Sequence, residues 1–238
     1  MSEIMLSIDS LTVKYGDMVA VDNVFMIIHK GELVSVLGPN SSGKTTLMNT
    51  IAGLHSPCLG EISLQGQSLN GLSSDKIVEL GVSLVPQGGR CFNRMSVFDN
   101  LMVGSYSKRS RHNAKNSLDR VYELFPVLHD KRNQPAGSLS GGQRQMVAIG
   151  RALMSCPRLL LFDELSLGLA PVVIKDIYSA IKRISREENT TIVMVEQDTK
   201  RAMRMTDHTY IMLKGKVVLE GRSGELSDDA VKKAYFGS

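Results

Sequence analysis

Gly38-Pro39-Asn40-Ser41-Ser42-Gly43-Lys44-Thr45-Thr46 decides how the rest of the 238-residue chain is read. It fits G-x-x-x-x-G-K-[ST], a pattern whose backbone N–H groups cradle phosphates. The flanks carry as much weight as the match. Before it, Glu32 to Leu37 is a short apolar run that predicts a buried strand. After it, Leu47, Met48, Ile51 and Leu54 recur at helical spacing, which predicts a helix over 45–54. A strand, a Gly-bearing loop and a helix in that order aim bare N–H groups and a helix dipole at one point, where an anion is favoured. Lys44 adds a point charge for the β- and γ-phosphates, and the Thr45 hydroxyl is a ligand for Mg²⁺.

Working outward, Ile4 to Tyr15 and Val19 to His29 are rich in β-formers and break at Gly16-Asp17, predicting antiparallel strands beside the phosphate-loop strand. Tyr15 falls at that turn and, on local pattern alone, reads as core. Glu61 to Gln65 is a further strand. Ser73-Ser74-Asp75 is placed to cap a brief helix over Lys76 to Leu80, and Val82 to Val85 is a strand running into Pro86-Gln87. From about Ser96 to Ser155 the spacing turns helical: Val97 to Gly104, Asn113 to Phe125 and Met146 to Leu153 are amphipathic, and Ser107 to Arg111 reads as a solvated basic turn. Strands return at Leu159 to Phe162, Thr191 to Val195, Tyr210 to Leu213 and Lys216 to Leu219, with a helix over Val172 to Asn189. Strand, helix, strand implies parallel pairing covered by helices. The fold class is α/β, a phosphate-loop core with an N-terminal antiparallel β subdomain and an inserted helical subdomain. The boundaries fall near 1–87 and 157–238 for the core and 88–156 for the insertion, all within one domain.

Composition excludes more than it assigns. Lys and Arg exceed Asp and Glu by 28 to 24, a net charge of +4 spread along the chain, too mild to argue for nucleic acid. Three cysteines with no C-x-x-C spacing point to reduced thiols in a cytosolic protein. No signal peptide is visible, and no apolar run approaches the ~18 residues that span a bilayer, so a membrane role must come through a partner.

Two further motifs carry chemistry. Leu159 to Phe162 is an apolar run that ends in Asp163-Glu164, and a carboxylate at the end of a buried strand is costly unless paired or metal-bound. Beside a phosphate loop, Asp163 is placed for the magnesium shell and Glu164 to orient or deprotonate an attacking water. Leu139-Ser140-Gly141-Gly142-Gln143, about twenty residues earlier, sets a second pair of glycines at a helix N-terminus, another anion site. One chain does not need two cradles for one nucleotide. A dimer in which each chain offers this motif to the other's nucleotide resolves the redundancy.

Gly38–Thr46, Gln87, Leu139–Gln143 and Leu160–Glu164, in this order, resemble the Walker A, Q-loop, signature and Walker B elements of ATP-binding-cassette ATPases over nearly the whole chain. The resemblance implies ATP and Mg²⁺ as ligands, Tyr15 stacked on adenine, Gln87 on the metal and near a membrane subunit, and Gln197 at the γ-phosphate. It also implies a head-to-tail dimer with a second, different ATPase subunit. Tyr122–Pro126, Gln134–Gly137, Ala148–Met154, Ser166–Pro171, Val195–Gln197 and Ala230–Tyr235 look like the smaller ATPase subunit of branched-chain amino acid importers, with urea-importer ATPases close by. That implies two membrane permease subunits, a periplasmic or extracellular solute-binding protein, and a place on the cytoplasmic face of the inner membrane. Three residues depart from the wider pattern: Ser41 for Gly, Leu165 for Pro and Gln197 for His, though Gln is common there in the subfamily. They motivate the alternative of a nucleotide-gated dimerising module that hydrolyses little ATP; the intact Glu164 speaks for turnover. A chromosome or translation factor is not supported, because the chain has neither long coiled coils nor a duplicated cassette.

Overall fold

A computed structural model of the chain describes residues 3–236. Strands β1 (Ile4–Tyr15) and β2 (Met18–His29) form a long hairpin turning at Gly16-Asp17. With β4 (Leu59–Leu64) and the two-residue β5 (Gln67–Ser68) they make an antiparallel sheet in the order β2-β1-β4-β5. This sheet is separate from the one holding the phosphate loop. The two pack face to face: Leu6, Ile8 and Met26 share one core with Val34 and Val36 of β3 (Leu33–Leu37) and with Leu47 and Met48 of α1 (Lys44–Ile51).

The second sheet positions the site. Its order is β10-β9-β3-β8-β7-β6, built from β6 (Val82–Val85), β7 (Leu159–Asp163), β8 (Thr191–Glu196), β9 (His208–Leu213) and β10 (Lys216–Arg222). All neighbours pair in parallel except the β9–β10 hairpin. Strands β3, β7 and β8 are buried along their whole length, as parallel strands covered by helices on both faces must be. In open parallel sheets, ligands bind beyond the carboxyl ends of the strands. Here β3 runs into the phosphate loop, β8 into Gln197, β7 into Glu164 and β6 towards Gln87, so four adjacent strands deliver their C-terminal ends to one place.

Between β6 and β7 the chain is helical: α3 (Val97–Val103), α4 (Lys108–Arg111), α5 (Ala114–Leu124), α6 (Pro126–Asp130) and α7 (Gly141–Leu153). Val97, Leu101, Val121 and Leu128 close on Val147 and Ile149 of α7, and that core is continuous with Leu160 and Phe162 of the sheet. The remaining helices are α2 (Ser74–Leu80), α8 (Pro171–Glu188), α9 (Thr199–Met203) and α10 (Asp228–Phe236).

Several local expectations change. The Ser107–Arg111 stretch is not a solvated turn but the short helix α4, capped by the Ser107 hydroxyl, which takes the Ser110 N–H. Ser107 and Ser110 are buried and their hydroxyls bond each other at 2.7 Å, satisfying polar groups that lie inside the fold. Helix α7 starts at Gly141 rather than Met146, because Ser140 and Gln143 form a capping box ahead of the apolar stripe. Helix α1 stops at Ile51, which leaves Leu54 56% exposed and off the buried face. Ser73 is the N-cap of α2, but its side chain takes no N–H of that helix.

Candidate functional site

The phosphate loop is held open by backbone geometry. Gly43, at the N-cap of α1, has φ of 101°, and a Cβ there would run into the Ala20 carbonyl of β2. That is a conformation and a fit only glycine meets without strain. Ser41 also takes a positive φ, 62°, at the position where the resemblance expects Gly. A non-Gly residue there costs on the order of 1–2 kcal/mol. Among the described residues no side chain caps α1, which leaves its first N–H groups without a side-chain acceptor there.

Lys44 is 4% exposed and its ammonium lies under the loop, donating to the Gly38 and Pro39 carbonyls, each at 2.8 Å. Burial pulls its pKa down, against the opposing charges of Glu164 and Asp163. Thr45 donates its hydroxyl to Asp163 Oδ1 at 3.1 Å. Asp163 is 5% exposed; burial pushes its carboxyl up, the neighbouring Glu164 adds to this, and the Thr45 bond, Lys44 and Arg90 oppose it. A desolvated carboxylate beside a hydroxyl is a hard-oxygen pair suited to Mg²⁺, which binds through one or two carboxylates together with phosphate oxygens. The donor chemistry of Thr45 and Asp163 therefore fits the metal that the sequence pattern implies.

Glu164 is gripped from both sides. Gln87 Nε2 donates to its Oε2 at 3.0 Å and Gln197 Nε2 to its Oε1 at 3.0 Å. The Gln197 amide also donates to Asn40 Oδ1 at 3.2 Å, which ties the end of β8 to the phosphate loop. The Glu164 backbone sits at φ 49°, and its N–H bonds the Val195 carbonyl at 3.1 Å. Neutral amides on both oxygens fix the direction of the carboxylate without neutralising it. The carboxylate is thus fixed in place.

A cavity of about 810 Å³ opens over these groups, large enough for a nucleotide. Tyr15, Asn40, Ser41, Ser42, Gly43, Lys44, Thr45, Thr46, Gln87, Glu164 and Gln197 all line it. Gly38 and Pro39 stand behind the wall and reach it through Lys44, as Asp163 does through Thr45. Tyr15 is 40% exposed, edge-on to His55 with ring centroids 4.9 Å apart, so it is not the core residue its local pattern implied. Ser140, Gly141, Gly142 and Gln143 do not line the cavity; Ser140 and Gly141 are exposed. The sequence reading missed Leu167 and the Lys214-Gly215 turn, which also form cavity walls. Only the sharp β9–β10 turn at Lys214-Gly215 carried a local signal.

Residues 21–166 match the family model described as ABC transporter. The chain belongs to the ABC transporter family. It is an ATPase of that family and shares its α/β phosphate-loop fold. The high-affinity branched-chain amino acid transport ATP-binding protein BraG of Pseudomonas aeruginosa is 39% identical over 98% of this chain and all of its own length. Among solved structures, the ADP conformation of MJ1267, an ATP-binding cassette of an ABC transporter, superposes with a TM-score of 0.86 at 27% identity, covering 99% of each chain. A dimeric post-hydrolysis state of the cassette MJ0796, bound to ADP and Pi, gives a TM-score of 0.77 at 27% identity over 92% of this chain and 99% of that one.

Proposed function

We propose that this protein binds Mg·ATP, hydrolyses it, and thereby drives import of branched-chain amino acids. One observation carries the hydrolytic part. The carboxylate of Glu164 stands in the cavity wall with Lys44 and Thr45, held by Gln87 and Gln197. Phosphoryl transfer to water asks a protein mainly for positioning and charge stabilisation. The first N–H groups of α1 and the Lys44 ammonium receive the β- and γ-phosphates. Thr45 and Asp163, with Gln87 alongside, hold Mg²⁺, which neutralises phosphate charge when bound. Glu164 orients the attacking water and accepts its proton, while Gln197 donates an amide N–H towards the γ-phosphate. Tyr15 offers its exposed ring to the adenine.

The exposed terminus of α7, which lines no part of the cavity, serves the nucleotide of a second ATPase subunit in a head-to-tail dimer. The dimeric structure of the MJ0796 cassette supports pairing of two cassettes. No helix among the described residues is long and apolar enough to cross a membrane. We therefore assign the work at the membrane to two permease subunits, with this chain peripheral on the cytoplasmic side and a solute-binding protein on the other. The helical block near 88–156, which carries the Leu139–Gln143 motif, is the subdomain that presents it. The solute follows from the full-length likeness to BraG. Its test is uptake into vesicles that hold the reconstituted complex, with ATP inside. Leucine, isoleucine and valine are expected to stimulate hydrolysis and accumulate. Stimulation by another solute class, with none by these three, would overturn the assignment.

A further inference from the structure

The last residue of β8, Glu196, is 1% exposed and unused by the chemistry above, yet it is a carboxylate inside a hydrophobic sheet. Its Oε2 accepts the Ser166 hydroxyl at 2.7 Å. Burial pushes its carboxyl up, opposed by the Ser166 hydroxyl, the nearby Tyr178 phenol of α8 and the Gln197 and Ser166 backbone, while its Oε1 and the Tyr178 hydroxyl have no hydrogen-bond partner among the described residues. The phenol of Tyr178 is itself raised by burial and by Glu196, so that hydroxyl keeps its proton. Arg201 lies over the Tyr178 ring, 6.0 Å from its centroid, with its charge turned to Asp198 at 3.4 Å. A buried carboxylate costs stability that a neutral side chain of equal size would not. Its position suggests what that cost is retained for.

Glu196 lies in the chain between two residues that hold Glu164: the Val195 carbonyl of β8 accepts the Glu164 N–H, and the Gln197 amide just past the strand donates to Oε1. Among the described residues, Ser166, two residues after Glu164, makes the one side-chain hydrogen bond that anchors the segment up to α8, and Leu165 is buried by packing. Beyond Ser166, Leu167 lines the nucleotide cavity, Leu169 lies over Gly141 and Val173 packs on Gly142. The run from Glu164 to Val173 therefore bridges the cavity and the N-terminus of α7.

We propose that Glu196 is a positioning residue for hydrolysis: through the Ser166 hydroxyl it sets where the Glu164–Leu169 segment lies between the nucleotide cavity and the Ser140–Gln143 helix terminus. Movement of Gln197 at the γ-phosphate then moves Ser166 with it, because Glu196, the last residue of β8, adjoins Gln197 in the chain. The proposal deepens the hydrolytic reading above and rests on it.

The test is a mutant cycle in the assembled transporter, with kcat, KM, equilibrium ATP binding and thermal midpoint measured for each protein. Glu196→Met removes both acceptors and the buried charge at similar volume, and Ser166→Ala removes the donor. Each is expected to lower kcat about tenfold, the scale of a small misplacement of a reacting group. ATP affinity should change less than twofold, and the Glu196→Met midpoint should not fall. The double variant should be no slower than either single one. Glu196→Gln and Ser166→Thr, which keep an acceptor and a donor, should restore the rate to within about twofold of wild type. Losses that multiply in the double variant, or a rate that tracks the thermal midpoint, would overturn the proposal. Wild-type protein that fails to turn over would instead remove the hydrolytic reading itself.

Discussion

Two helices in this chain begin with glycine-bearing anion motifs, and they begin differently. Helix α1 has Gly43 at its N-cap, left-handed, with no side-chain bond to its first turn. Helix α7 has Ser140 at its N-cap, extended, and Ser140 and Gln143 bond each other's backbone N–H groups at 3.3 and 3.2 Å. The first terminus opens on the cavity beside Glu164, with Thr45 bonded to Asp163. The second is exposed and faces none of them. An uncapped helix start inside a cavity leaves its N–H groups for a phosphate, whereas a capping box already uses part of that capacity. The α1 terminus is a site complete within the chain. The α7 terminus is a self-satisfied end that turns to a ligand only when a second nucleotide competes for the Ser140 hydroxyl and the Gly141 and Gly142 N–H groups.

The sharpest way to break this contrast is at the group that only the α1 side possesses. Glu164→Gln should lower single-turnover hydrolysis by roughly 10²–10⁴-fold, the usual worth of general-base help. ATP binding should persist, since the amide keeps the shape and loses only the base. Gln197→Ala should cost far less, because an amide N–H near a phosphate positions and does not take a proton. Equal losses in the two variants would mean that Glu164 acts only as a brace. Next comes Lys44→Ala, which deletes a charged donor worth about 1.5–3 kcal/mol, so equilibrium binding of ATP should weaken about 10- to 100-fold. Wild-type affinity would remove α1 as the cradle.

On the α7 side the expected effects are of another kind. Ser140→Ala breaks half of the capping box and should cost roughly 0.5–2 kcal/mol of stability, read by chemical denaturation, with the isolated chain's ATP affinity unchanged. A fall in that affinity would place α7 in the chain's own site. The smallest effect is expected for Ser41→Gly. Relief of a left-handed serine, on the order of 1–2 kcal/mol, is largely offset by the extra freedom glycine gives the unfolded chain, about 0.5–1 kcal/mol. A net gain below about 1 kcal/mol by denaturation, with hydrolysis unchanged, would mark the residue as a tolerated strain and not a brake on turnover.

What could be read from sequence follows from how local the physics is. The Gly38–Thr46 loop and the Asp163-Glu164 pair were legible because strand, loop and helix are adjacent in sequence and each flank carries its own period. Even the positive φ of Ser41 was conditionally legible, from the residue type the motif expects there. The grip on Glu164 was not, since Gln87 and Gln197 lie 77 and 33 residues away and meet it only when four parallel strands align. Glu196 carries no local signal of its own, because its hydrogen-bond partner Ser166 is 30 residues distant. The Ser107–Arg111 helix was missed because its basic residues signal solvent, while the pairing of Ser107 with Ser110 that buries it has no hydrophobic signature. Tyr15 was misjudged on local pattern for the same reason: what an aromatic side chain faces is set by elements remote in sequence.

The central claim is that the two helix termini of one chain serve different nucleotides. Ser140→Arg in this subunit alone, within the complex assembled with its partner ATPase, tests it most directly. A photoreactive ATP analogue, trapped after hydrolysis with vanadate, reports which subunit's phosphate loop has turned over. Trapping should be lost on the partner subunit and retained on this chain, whose own Lys44, Asp163 and Glu164 are untouched. Loss on this chain with trapping preserved on the partner would contradict the claim.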